Sequence, residues 1–67
     1  MNEEWTLLIS DTDAIRINLL HARLESEGIK SIVLNKQDSS YAFGSVELYV
    51  RKEEFIKARF IMDDLGS

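Results

Sequence analysis

The chain has 67 residues, 45% of them hydrophobic, with 8 Lys and Arg against 12 Asp and Glu for a net charge of −4. That length allows one domain over residues 1–67, and a chain this short buries only about 60% of the surface its unfolded state exposes. The acidic balance and scattered basic residues argue against nucleic acid. The lack of Cys excludes disulfides and thiolate chemistry and fits a reducing cytoplasm, and no apolar run is long enough for a membrane span or secretory leader.

Glu4 to Ser10 is a β-branched and aromatic run, which predicts a first strand. Asp11, Thr12 and Asp13 follow; Asp11 or Thr12 is the expected N-cap of a helix over about 12–27. Ala14, Ile17, Leu20, His21 and Leu24 share one face of that helix at core spacing. Gly28 then supplies a residue free to take positive φ, and Ile29 the apolar contact that closes a Schellman ending. Lys30 to Asn35 and Ser45 to Arg51 are the second and third strands. In the third, Val46, Leu48 and Val50 point one way and Glu47, Tyr49 and Arg51 the other. The polar segment between these two strands is too long for a tight hairpin. A second helix over about 52–65 presents Phe55, Ala58, Ile61, Met62 and Leu65 to the core.

The order is therefore β-α-β-β-α: an α+β domain with a three-stranded mixed sheet, both helices on one face. A right-handed crossover makes the first strand parallel to its neighbour.

Three stretches carry a family resemblance: the helix ending Leu24-Glu25-Ser26-Glu27-Gly28-Ile29, the loop Asn35-Lys36-Gln37-Asp38-Ser39-Ser40-Tyr41 with Phe43-Gly44, and the strand Val46-Glu47-Leu48-Tyr49-Val50. From Trp5 to Leu65 the chain resembles the prokaryotic signal-transducing proteins, small bacterial domains of unknown function. That family is similar in fold to the PII-type nitrogen regulators, which are ferredoxin-like β-α-β-β-α-β units. The resemblance implies a ferredoxin-like fold and a regulatory role, and it brings no catalytic residues. This sequence stops after the second helix, and its loop is far shorter than the signalling loop of those regulators. In the ferredoxin-like strand order, the first strand then lies at an open sheet edge.

The candidate working surfaces follow from these elements. The loop offers hydrogen-bonding side chains in Gln37, Asp38, Ser39 and Ser40 and apolar area in Tyr41 and Phe43, although Asp and Ser also serve loop backbones through local turns. The open sheet face is expected to carry Tyr49 with Leu8 and Val33, beside Thr6 and Ser31. Ile15, Leu19 and Ala22 on the first helix, and Ile56 and Phe60 on the second, form extra apolar stripes. Together these exceed what one sheet face buries, so a protein partner or self-association is expected. Arg51 and Lys52 at a helix start are candidates for an anion, against the competition of Glu53 and Glu54.

No constellation supports catalysis. His21 is the single His and sits on the core face; no nucleophile triad, zinc set, calcium loop or glycine-rich phosphate loop is present. The expected function is a non-enzymatic regulatory binding module, cytoplasmic and without cofactor, metal, nucleic acid or membrane. It acts on a protein through the 35–44 loop and its apolar surfaces. The alternative is a small-ligand sensor for an anion or nucleotide, held between the loop and the second helix near Arg51.

Overall fold

A computed structural model describes residues 4–37 and 44–66. The elements run β1 (Trp5–Asp11), α1 (Ala14–Ser26), β2 (Ser31–Asn35), β3 (Val46–Arg51), one 3-10 turn (Lys52–Glu54) and α2 (Phe55–Gly66). The domain is α+β with the expected β-α-β-β-α order.

The sheet order is β1-β3-β2, and both pairings are antiparallel. The expected mixed sheet is thus corrected. The crossover through α1 does leave β1 and β2 parallel, but β3 folds back between them and becomes the neighbour of each. This is the order of the first three strands in a ferredoxin-like unit. Among the described residues no strand lies beyond β1, so β1 is an open edge.

Local chemistry sets the ends of α1. The N-cap is Asp13, where Asp11 or Thr12 was expected: its Oδ1 accepts from the N–H of Ile15 at 3.0 Å and of Arg16 at 3.4 Å. Asp11 braces the cap instead, its Oδ1 accepting from the Asp13 N–H at 2.9 Å. At the other end Gly28 has φ +84°. The Ile29 N–H reaches the Leu24 carbonyl at 2.9 Å and the Gly28 N–H the Glu25 carbonyl at 3.0 Å. These two bonds are the Schellman pair, and they turn the chain so that Ile29 is buried.

The core lies between one face of β3 and the two helices. Val46, Leu48 and Val50 are fully buried there with Ile17, Leu20 and Leu24 of α1 and Ala58 and Ile61 of α2. Phe55 and Met62 pack against this cluster. Leu65, expected in the core, stays largely exposed at its margin. His21 is half-buried and hydrogen-bonds through Nδ1 to Ser31 Oγ, tying α1 to β2. The second helix begins later than expected. The Lys52 N–H is held by the Glu4 carbonyl at 2.8 Å, extending the β1–β3 ladder past Arg51, so the chain makes a tight turn before α2 begins.

Candidate functional site

The face of the sheet turned away from the helices is uncovered among the described residues. Its composition follows from register. On β3 the outward residues are Glu47, Tyr49 and Arg51. On β2, Ile32 stands opposite Tyr49 and Leu34 opposite Glu47; on β1, Leu7 stands opposite Tyr49, Trp5 opposite Arg51 and Ser10 opposite Glu47. Directly opposed side chains in an antiparallel pair lie about 5 Å apart. Trp5, Leu7, Tyr49, Ile32 and Leu34 therefore form one continuous apolar strip across all three strands. Leu7 is 42% exposed, Ile32 42% and Leu34 45%.

Glu47 and Tyr49 lie on this face as expected, whereas the residues expected beside them from β1 and β2 do not. Leu8 is buried in the core. Thr6 stands opposite Val50, Ser31 opposite Val50 and Val33 opposite Leu48, so all three belong to the helix side. A shift of one residue exchanges the two faces of a strand. The pattern of β2 gave little protection against that error, because Ile32, Val33 and Leu34 are all apolar. In β1 the register slips between Leu7 and Ile9, a bulge at Leu8 that no alternation count foresees.

A polar group sits within the strip. The Tyr49 hydroxyl donates to Glu47 Oε1 at 2.8 Å, and Lys36 Nζ lies 3.3 Å from the same oxygen. The tyrosine hydrogen bond, aided by Lys36 and opposed by partial burial, holds the Glu47 carboxyl below its ordinary pKa of 4.5. The same bond, together with partial burial, raises the Tyr49 phenol above its ordinary value.

The 35–44 loop opens from the β2–β3 end of this face. Asp38, Ser39, Ser40, Tyr41 and Phe43 lie outside the described residues. Hydrogen bonds hold both ends of the loop. The Lys36 N–H bonds the Ser45 carbonyl at 2.9 Å. The Gln37 N–H bonds Asn35 Oδ1 at 2.8 Å, and Gln37 Nε2 donates to the Thr12 carbonyl at 2.7 Å, clamping the loop to the turn before α1. Gly44 is held so close that a Cβ there would meet the Lys36 carbonyl oxygen at 2.5 Å and the Gln37 Cα at 2.7 Å.

The structure does not bring Arg51 to this loop. Arg51 ends β3 and the loop precedes its start, roughly 16 Å apart at the rise of a strand. Arg51 Nη2 is 3.8 Å from Glu54 Oε1, and Lys52 Nζ is 3.5 Å from Glu4 Oε1.

The extra apolar stripes of the helices lie on their backs, away from the sheet. Ile56 is 83% and Phe60 75% exposed, and Ile15 and Leu19 are exposed in the same way. A small cleft of about 190 Å³ lies between the end of β1, α1 and the last turn of α2. It is lined by Ile9, Leu19, Met62 and Leu65, with the Asp11–Arg16 ion pair at 3.7 Å on its rim. Ligand pockets usually hold about 300–1,000 Å³. Among the described residues no three His, Cys, Asp or Glu side chains gather as metal ligands, and no helix is long and apolar enough to cross a membrane.

Comparison with curated proteins and with solved structures returned no match. Comparison with family models matched residues 5–66 to the family described as "Putative prokaryotic signal transducing protein". That match takes in all the elements of the fold, both ends of the loop and the open face, and the chain belongs to this family of prokaryotic signal-transducing proteins.

Proposed function

We propose that the chain is a non-enzymatic regulatory module that docks a protein partner on the open face of its sheet, with the 35–44 loop as a second contact. The observation that carries this reading is the continuous strip of Trp5, Leu7, Tyr49, Ile32 and Leu34, left uncovered on a small acidic domain. Large contiguous apolar patches on soluble domains mark interaction sites. The strip also has the make-up of an interface centre, with aromatic anchors and few charges. Lys36, exposed at its margin, offers N–H donors to a carboxylate or carbonyl on the partner. The partner chemistry is therefore a protein surface with an apolar centre and an acceptor beside it. The membership in a signal-transducing family supports the regulatory part of the reading. The anion-sensor alternative draws less support, since Arg51 faces Glu54 and stands at the far end of β3 from the loop.

Site-specific photo-crosslinking in the native host tests the reading. A crosslinker at Leu34 is expected to trap one protein, which then binds the purified domain in solution and fails to bind Ile32→Asp. A crosslinker at Phe60, on the back of α2, is expected to trap nothing specific. Trapping from Phe60 with none from Leu34 overturns the assignment of the open face.

A further inference from the structure

The β1 edge presents backbone groups in a pattern that matches itself. The Lys52 N–H bonds the Glu4 carbonyl, so the hydrogen-bonded pairs of the β1–β3 ladder fall on Glu4–Lys52 and Thr6–Val50. Alternation in an antiparallel ladder then turns the N–H and C=O of Trp5 and Leu7 outward, away from β3. Beyond the bulge at Leu8 the same alternation turns those of Ser10 outward. From Trp5 to Ser10 the edge carries no charged residue and no Pro, the two commonest guards of an exposed strand.

We infer that two copies of this chain pair through their β1 strands, antiparallel about a two-fold axis at Thr6, to form one six-stranded sheet. A two-fold axis places residue i opposite a fixed complement. With the axis at Thr6, Trp5 meets the partner's Leu7 and Leu7 meets the partner's Trp5, and both pairs exchange outward N–H and C=O groups. Among the described residues, axes at Trp5, Leu7 or Ser10 match only one such position. A strand from another protein would require no such self-match. The side chains agree with the backbone. Trp5 and Leu7 both lie on the open face, so each pair across the axis is an aromatic–aliphatic contact, and Thr6 faces the partner's Thr6 on the other side, a favourable cross-strand pair.

The two edges of the sheet are not equivalent, which closes the assembly at two. On β2 the outward N–H belongs to Ser31, Val33 and Asn35 by the same alternation, and that of Ser31 is already taken by Glu25 Oε2 at 3.1 Å. The bulge at Leu8 ends regular pairing one residue past Leu7 and twists the remainder of β1 away. An isologous contact through β1 then yields a closed dimer rather than a growing ribbon. The inference stands on the strand edge and not on the proposed docking of another protein, and either holds without the other.

Sedimentation of the purified chain over a range of concentrations, with amide hydrogen exchange on the same sample, tests it. The expected result is a reversible dimer in which the Trp5 and Leu7 amides are protected and lose that protection on dilution, while the Ser10 amide exchanges fast throughout. Leu7→Pro removes an outward N–H without touching the β1–β3 ladder and is expected to give a folded monomer. Ser10→Pro, outside the paired register, is expected to remain a dimer. A monomer at every concentration, or a dimer in which Leu7 exchanges as fast as Ser10, overturns the inference. So does a dimer that survives Leu7→Pro. If Leu7→Pro does not fold, the exchange pattern of the wild-type chain decides alone. A monomeric wild type that still captures its partner through Leu34 defeats the pairing and leaves the proposed function standing.

Discussion

Strand β3 separates two surfaces built from neighbouring residues. Val46, Leu48 and Val50 turn to the helices and are fully buried. Glu47, Tyr49 and Arg51, one step along the chain each time, turn to the uncovered face. Glu47 and Tyr49 share a hydrogen bond there, and Ile32, Leu34, Leu7 and Trp5 flank them. Both surfaces are largely apolar. What separates them is that helix residues cover the first and no described element covers the second. The comparison teaches that hydrophobicity on the inner side of this sheet serves folding, while under the proposed function that of the outer side serves contact with a partner. Substitutions on the two faces should therefore differ in which property they change.

The largest effect is expected from Leu48→Ala. It deletes a fully buried side chain at the centre of the core, at a cost of about 2–5 kcal/mol. A domain of this size has a total stability of roughly 3–10 kcal/mol, so urea denaturation should show a sharply lowered midpoint or an unfolded chain. A midpoint close to wild type would mean that the inner face does not hold the fold together. Asp13→Ala belongs to neither face and sets a scale. Loss of the two N-cap hydrogen bonds should lower stability by about 1 kcal/mol in the same experiment.

Leu34→Thr is expected to move the stability of the protomer by less than about 0.5 kcal/mol, as exposed positions generally do, while weakening capture of the partner. Equal losses for Leu34→Thr and Leu48→Ala would erase the distinction between the faces. The smallest effect is electrostatic. Tyr49→Phe removes the donor that depresses the Glu47 pKa, so the carboxyl should titrate at higher pH by carbon-13 NMR. The sign of the linked stability follows. A carboxyl whose folded pKa is depressed contributes stability above its unfolded pKa and loses it as pH falls through the folded value. The wild type should lose this increment below pH 4.5, the ordinary value of the carboxyl, and the pH profile of Tyr49→Phe should be flatter there. An unchanged Glu47 titration would show that the hydrogen bond does not set its pKa.

The fold was legible in the sequence wherever one residue type had one physical meaning. Gly28 followed by Ile29 predicted the end of α1, and the Schellman bonds are there. The strict alternation of β3 predicted its buried face. The helix core faces were readable because their apolar positions recur with a single period, apart from Leu65, which the last turn of α2 carries beyond the sheet. Legibility failed where the meaning was shared. Three residues of N-cap type stood side by side, Asp11 or Thr12 was expected to be the cap, and only the geometry that places Asp13 Oδ1 under Ile15 and Arg16 singles out Asp13. The strand pairing was misread because a crossover rule concerns the direction of two strands and says nothing of a third that folds between them. The open face was anticipated, yet only its β3 members, Glu47, Tyr49 and Arg51, were placed on it correctly. Its other members depend on the phase of β1 and β2 against β3, which is set by contacts between strands.

The cinch at the base of the 35–44 loop has a consequence for how this family can vary. Gly44 against Lys36 and Gln37, with Gln37 anchored on the Thr12 carbonyl, fixes both points where the segment leaves the sheet. The six positions between them then form a cassette: their sequence, and even their number, can be exchanged while the strands keep their register, because the entropy of closing a loop grows only slowly with its length. Gly44 is the residue that such exchange must spare, since any side chain there would push the two strand ends apart.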